Sequence, residues 1–71
     1  MKYAVVIEKA ENNYSAYVPD LPGCVATGQT VVEVESQIKS AIEFHIKGLL
    51  EDKLDVPSAT SIVEYIETIA A

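Results

Sequence analysis

The stretch that decides the fold is YSAYVPDLPGCVATGQT, residues 14–30. It begins as an alternating strand, continues through two prolines and a glycine at residues 19–23, and ends on a threonine suited to a helix N-cap. Strand pairing has to stop at the prolines, because each removes a ladder donor. The stretch therefore predicts a strand over 14–18, a rigid turn, a short third strand over 24–28 and then a helix.

The residues upstream predict a first strand that pairs with the second. Residues 2–9, KYAVVIEK, are rich in β-branched and aromatic types, and Tyr3, Val5 and Ile7 fall on one side of the strand. The asparagines within 10–13 suit a short hairpin turn, since asparagine tolerates positive φ and bonds to its own backbone. We therefore expect an antiparallel hairpin.

The residues downstream predict a long amphipathic helix from about Val31 to about Lys53. Thr30 and Glu33 have the spacing of a capping box, in which each side chain accepts from a free backbone N–H of the first turn. The apolar side of the helix comprises Val31, Val34, Ile38, Ala41, Ile42, His45, Ile46 and Leu49. A helix with one such side is expected to lie on a sheet.

The last part of the chain is less clear-cut. Residues 54–60 contain Pro57 and predict a loop, whereas 61–69, SIVEYIETI, suit a helix or a strand. We favour a strand, because a helix would leave a three-stranded sheet incomplete. The predicted fold is a single α+β domain over 1–71, with β-β-β-α-β order and the helix on one face of an antiparallel sheet.

The size of the chain points to self-association. A domain of 71 residues is only marginally stable alone, and its single cysteine allows no internal disulfide. No cluster of cysteine and histidine suggests a metal, and nothing suggests a cofactor. We expect a homo-oligomer. Phe44, on the polar side of the helix, and Gly48, within it, are the candidate contacts.

The charge argues against direct nucleic-acid binding. There are 11 acidic residues, 5 lysines and no arginine, for a net charge of −6. Phosphate binding needs clustered Lys and Arg, so this chain alone is a poor candidate. The charge suits a basic protein partner or, alternatively, serves only solubility. With no signal-peptide pattern and no apolar run near a membrane span, we expect a cytoplasmic protein that does not bind a membrane.

Three segments together carry a family resemblance. They are YSAYVPDLPGCVATGQT, AIEFHIKGLLED and DVPS, and with the order of elements they resemble the HicB family of antitoxins from about Tyr3 to about Tyr65. The resemblance implies a partial ribonuclease H-like fold. It also implies a partner, the small basic HicA toxin, which cleaves mRNA with a histidine that the antitoxin covers.

Many members of the HicB family also carry a C-terminal DNA-binding module. Too few residues follow the last predicted strand for such a module, so this chain resembles a short form. We therefore expect it not to bind the operator by itself.

The candidate partner-binding residues lie in and before the proline turn. They are Tyr17, Pro19, Asp20, Leu21, Pro22 and Gly23. Two prolines lower the entropy lost on docking, Asp20 offers a charge to a basic surface and Leu21 offers an apolar contact. The alternative is a tight connection that only fixes strand register.

No residue is predicted to be catalytic. His45 lies on the apolar side of the helix without a nucleophile at suitable spacing, and Cys24 has no nearby cation to lower its pKa. The ribonuclease H-like resemblance raises the possibility of a metal-dependent nuclease, but three convergent carboxylates are not evident. A toxin-binding antitoxin is favoured, and a solitary oligomeric accessory module is the alternative.

Overall fold

The computed structural model describes residues 1–69 as three short strands followed by one long helix. The strands are β1 (Val6–Lys9), β2 (Tyr14–Tyr17) and β3 (Val25–Gly28), and the helix is α1 (Val31–Glu51). The strands form one antiparallel sheet in the order β1-β2-β3. The predicted α+β class is therefore confirmed.

The strand register places small residues in the middle of the sheet. Ile7 lies opposite Ala16, and Ala16 lies opposite Ala26. The hairpin between β1 and β2 closes where Ala10 N–H donates to the carbonyl of Asn13 at 2.8 Å. The alanines leave room for α1 to approach the central strand closely.

The helix begins at the predicted capping box. Glu33 N–H donates to Thr30 Oγ1 at 3.0 Å, and Gln29 N–H donates to Glu33 Oε1 at 3.0 Å. The carboxylate thus reaches the residue before the cap. The helix ends at Glu51, and Lys53 adopts a left-handed φ of 58°, a common way to end a helix.

The core lies between α1 and one face of the sheet. Its buried side chains are Ala16, Val18, Leu21, Cys24, Val34 and Ile38. Gly28 sits where β3 meets the helix, and a Cβ built there would lie 2.7 Å from the backbone nitrogen of Val34. The missing side chain lets the first turn of α1 pack directly on the end of β3.

The helix is much longer than the strands it covers. Its 21 residues span about 31 Å, whereas a strand of four residues spans about 13 Å. The last turns of α1 therefore extend past the sheet, with Leu50 62% exposed. No helix within residues 1–69 combines the length and hydrophobicity needed to cross a membrane.

Residues 61–69 form neither strand nor helix, which corrects the fourth predicted strand. A strand is stabilised by hydrogen bonds to a neighbouring strand. In the described part of the chain no such neighbour lies beside this segment, and all nine residues are exposed. The observed order is β-β-β-α followed by an irregular segment.

Candidate functional site

The proline stretch after β2 folds into two consecutive turns. Leu21 N–H donates to Val18 O at 3.1 Å, and Cys24 N–H donates to Leu21 O at 3.0 Å. Pro19 and Pro22 each occupy the second position of their turn, where the fixed φ of proline is favoured. Val18 N–H also donates to Cys24 O at 3.2 Å and closes the loop at its base. We call residues 19–23 the double turn.

The second turn depends on Gly23. This residue has a φ of +83° and follows Pro22, as in a type II turn. An L side chain rarely adopts that φ, so glycine is favoured on backbone grounds alone. The two prolines and this glycine give the double turn one preferred backbone conformation.

Leu21 lies in the core, which corrects the expectation that its side chain is open to a partner. It is 0% exposed and packs with the buried Val18 and Val34. Between two prolines, the tight backbone directs this one side chain inward. Leu21 therefore anchors the double turn to the domain.

The exposed surface of the double turn is formed by the other candidates. Pro19, Pro22 and Gly23 are exposed, and Tyr17, at the end of β2, is 43% exposed. These residues form a small, largely apolar surface on a rigid backbone. No contact with another molecule has tested them, so their role in partner binding stays a prediction.

The Asp20 carboxylate makes contacts within the chain that the sequence did not reveal. Its Oδ2 accepts from the backbone N–H of Thr60 at 3.0 Å and of Ser61 at 2.9 Å. Its Oδ1 accepts from the Thr60 hydroxyl at 3.2 Å and the Ser61 hydroxyl at 2.8 Å. We call this the Asp20 clasp. No sequence signal links residues 40 positions apart.

The clasp keeps Asp20 ionised. The Ser61 backbone N–H contributes most, and the Ser61 hydroxyl and Thr60 add to it, so the pKa of the carboxyl lies below its ordinary value. Hydrogen bonds to the charged form stabilise that form. The negative charge beside the double turn is therefore retained, although its oxygens already have partners.

A second contact holds the residues before the clasp. The Tyr3 hydroxyl donates to the carbonyl of Pro57 at 2.6 Å. If the β1–β2 register is continued by three residues, Tyr3 lies opposite Asp20. Residues 57–61 therefore run across one end of the sheet, next to the double turn.

The oligomer candidates lie on the helix. Phe44 lines a shallow cavity of about 480 Å³ with Val25, Thr27 and Ser40. Gly48 is exposed, and a Cβ added there would meet nothing within 4 Å. Both are open to another molecule, and their role as oligomer contacts stays a prediction.

The residues considered for catalysis remain separate. Cys24 is buried, and burial raises the pKa of its thiol, so the reactive thiolate is disfavoured. His45 is half-buried on α1. Among residues 1–69, no three side chains of the His, Cys, Asp and Glu types gather as metal ligands would.

The fold and the double turn define a small α+β module that presents a rigid loop, with no assembled group of catalytic residues among those described. The sequence model of the HicB-like antitoxin of bacterial toxin–antitoxin systems matches residues 3–70. Because that match spans nearly all of the chain, the protein belongs to the HicB-like antitoxin family.

Relatives and a solved structure agree with this membership. The chain is 44% identical over 66 residues to an uncharacterised 14.9 kDa protein of Haemophilus phage HP1, covering 93% of this chain and 50% of the phage protein. It is 49% identical over 49 residues to a UPF0150 protein of Helicobacter pylori, covering 69% and 68%. The chain thus spans half the length of the phage protein.

The structural likeness is to a toxin–antitoxin assembly. A chain of the HicA3 and HicB3 toxin-antitoxin complex superposes with a TM-score of 0.73 and 27% identity, covering 84% of this chain and 70% of that one. The predicted resemblance to HicB proteins is confirmed.

Proposed function

We propose that this chain is an antitoxin that binds a small basic mRNA-cleaving toxin of the HicA type and inhibits it by covering its active site. The observation that carries the proposal is the family membership, joined to the likeness to a chain of the HicA3 and HicB3 complex. In this role the chain is not an enzyme and acts where mRNA is translated, in the cytoplasm.

The rigidity of the double turn supports a docking role. A loop already fixed by two prolines, a left-handed glycine and the buried Leu21 loses little conformational entropy when a partner binds. Tyrosine supplies a large contact area at low entropy cost, and proline has little backbone freedom to lose. We therefore assign the contact to Tyr17, Pro19, Pro22 and Gly23.

The charge of the chain supports a basic partner. A net charge of −6 without arginine attracts a cationic protein and repels RNA. The Asp20 clasp leaves that carboxylate charged but hydrogen-bonded within the chain. Asp20 is therefore assigned to attraction at a distance, and the neighbouring exposed side chains to direct contact.

The direct test is to mix this protein with the product of a short basic reading frame beside its gene. We expect a stable complex by calorimetry and the loss of RNA cleavage by that toxin. If no complex forms at micromolar concentration, the antitoxin proposal fails and the solitary oligomeric module takes its place.

A pair of variants tests the contact surface. Tyr17→Ala removes a half-exposed ring beside the double turn and is expected to weaken toxin binding about tenfold or more. Val32→Ala removes a more exposed apolar group from the helix and serves as the matched control, with binding unchanged. Equal affinity of both variants would remove Tyr17 from the interface.

A second pair separates the charge of Asp20 from its clasp. Asp20→Asn removes the charge, whereas Thr60→Ala with Ser61→Ala keeps the charge and deletes the two hydroxyl donors. We expect Asp20→Asn to slow association at low salt and less so at high salt, because steering is screened. The double variant should associate at the normal rate. If both variants slow association alike, the clasp rather than the charge matters.

A further inference from the structure

The C-terminal segment, residues 62–69, is an apolar strand-forming sequence without a neighbour. Ile62 is 83% exposed and Tyr65 is 99% exposed, and Ile66 and Ile69 are exposed as well. The radius of gyration is 14.0 Å, against about 11 Å for a compact domain of this length. The segment therefore projects from the domain, and so much apolar surface in one place marks an interaction site.

The sheet has a matching vacancy at β1. This strand pairs only with β2, so within residues 1–69 its other edge has unpaired backbone groups. An unpaired edge is a template for another strand. The helix lies over β3 and β2, which leaves the side of β1 less covered.

An apolar groove runs along this free edge. It has a volume of about 440 Å³ and lies between the start of the chain and α1. Its apolar lining is formed by Met1, Tyr3, Val5, Ile7, Ile38 and Ile42. Glu35, Lys39 and Glu43 line it from the helix. We call it the β1–helix groove.

The chain's own C-terminal segment is led away from this groove. Pro57 is held at Tyr3, on the β1 side of the sheet, and Ser61 is held at Asp20, beyond the end of β2. Between these contacts the chain crosses the end of the sheet from β1 towards β2. The segment that follows Ser61 therefore leaves the domain on the β2 side, away from the free edge of β1.

We propose that the C-terminal segment of one copy adds as a strand to the free edge of β1 in a second copy, and that the exchange is reciprocal. Period-two alternation puts Val63, Tyr65, Glu67 and Ile69 on one face. The three apolar side chains of this face fill the β1–helix groove of the other copy, and Glu67 lies among them. In a two-fold dimer the β1 edge and the C-terminal segment of each copy both gain a partner, through identical contacts. This assembly goes beyond toxin binding and does not depend on it.

The first experiment measures mass and affinity with the whole chain. We expect native mass spectrometry and light scattering to give a dimer of the 7.7 kDa chain. Val63→Ser with Tyr65→Ser should raise the dimer dissociation constant about tenfold or more. Val32→Ser, which removes an exposed apolar group from α1, is the control and should leave the dissociation constant unchanged. A monomeric wild type, or dissociation caused by Phe44→Ala instead, would overturn the proposal.

The second experiment tests the groove. Val5→Lys puts a charge into the groove lining and should therefore weaken the dimer. Circular dichroism checks that this variant is folded. Lys39→Glu changes only an exposed residue beside the groove and opposes the Glu67 carboxylate, which lies on the entering face of the segment. We expect Lys39→Glu to weaken the dimer several-fold at low salt and less at high salt, because salt screens the repulsion. Unchanged dimerisation of Lys39→Glu would indicate segment-to-segment pairing and overturn the proposal.

Hydrogen exchange gives a readout without substitutions. Amides of the C-terminal segment and of β1 should be protected at high protein concentration and lose protection together on dilution. Protection that is independent of concentration would show the segment pairing within its own chain, which would also overturn the exchange.

Discussion

Gly23 carries the backbone constraint of the double turn. Its φ of +83° lies in the left-handed region, and a Cβ there would meet no neighbour, so any cost of substitution comes from the backbone alone. We expect Gly23→Ala to lower the free energy of unfolding by about 1–2 kcal/mol.

Gly48→Ala is the matched control for that prediction. Gly48 lies within α1, where a Cβ also meets nothing within 4 Å but the backbone is helical. Alanine there should raise stability by up to about 1 kcal/mol. Urea unfolding of both variants checks the contrast, and a stability loss of equal size in both would contradict it.

The Asp20 clasp predicts a dependence on pH. Because the folded pKa of the carboxyl lies below the unfolded value of about 3.9, the clasp contributes fully above that value and is lost as pH falls through the folded pKa. Acidification should therefore release residues 60 and 61 before the core unfolds.

The measurement for the clasp is the pair of Thr60 and Ser61 amide signals followed by NMR from neutral pH downwards. In wild type they should move with the titration of Asp20, and in Asp20→Asn they should lack that step. Signals that titrate alike in both proteins would assign the change to another carboxyl group.

At the scale of single elements, the start of α1 is set by its cap. Thr30 Oγ1 accepts one of the free first-turn donors at 3.0 Å. Thr30→Ala is expected to cost about 1 kcal/mol, because that donor loses its partner. For a domain of this size this corresponds to a fall in Tm of about 4–8 °C.

Ser36→Ala provides the control within the same helix. Ser36 is exposed and lies inside α1, where alanine has the higher helix propensity. Thermal unfolding should show no loss of stability for this variant. A fall in Tm similar to that of Thr30→Ala would mean that hydroxyl loss in general, and not the cap, is responsible.

The same scale shows what local patterns predict well. The hairpin, the third strand and α1 were predicted within a few residues, because alternation, turn residues and the capping box act between neighbours in sequence. Residues 61–69 were predicted wrongly as a strand. Their composition favours that structure, but a strand exists only where another strand supplies hydrogen bonds.

For the whole molecule, the small core makes stability depend on association. Within residues 1–69, six buried side chains form the core. If two copies complete each other's sheets, folding and dimerisation are linked by mass action. We expect Tm to rise with protein concentration for wild type. The Val63→Ser, Tyr65→Ser double variant should show a lower Tm than wild type at each concentration.

A scanning calorimetry series over about a hundredfold range of concentration measures this link. Val32→Ser is the control and should behave like wild type. A wild-type Tm that stays constant would show that the chain folds without the exchange, while leaving the toxin-binding proposal to its own test.

Part of the structure of the candidate site could be predicted from the sequence, and part could not. Pro19, Pro22 and Gly23 were predicted as a rigid turn because their backbone preferences are intrinsic. The inward direction of Leu21 and the Asp20 clasp depend on contacts with residues far away in the chain. No local pattern contains those contacts.

Local chemistry was thus enough for the class of fold, the rigid turn, the capped helix and the family. Local chemistry did not determine whether each side chain is buried or which partner it contacts, because that depends on the residues packed beside it. The fold buried Leu21, engaged the carboxylate of Asp20 and left the C-terminal segment without a strand to join. Burial and hydrogen bonding are properties of neighbours in space, and only the tertiary structure specifies those neighbours.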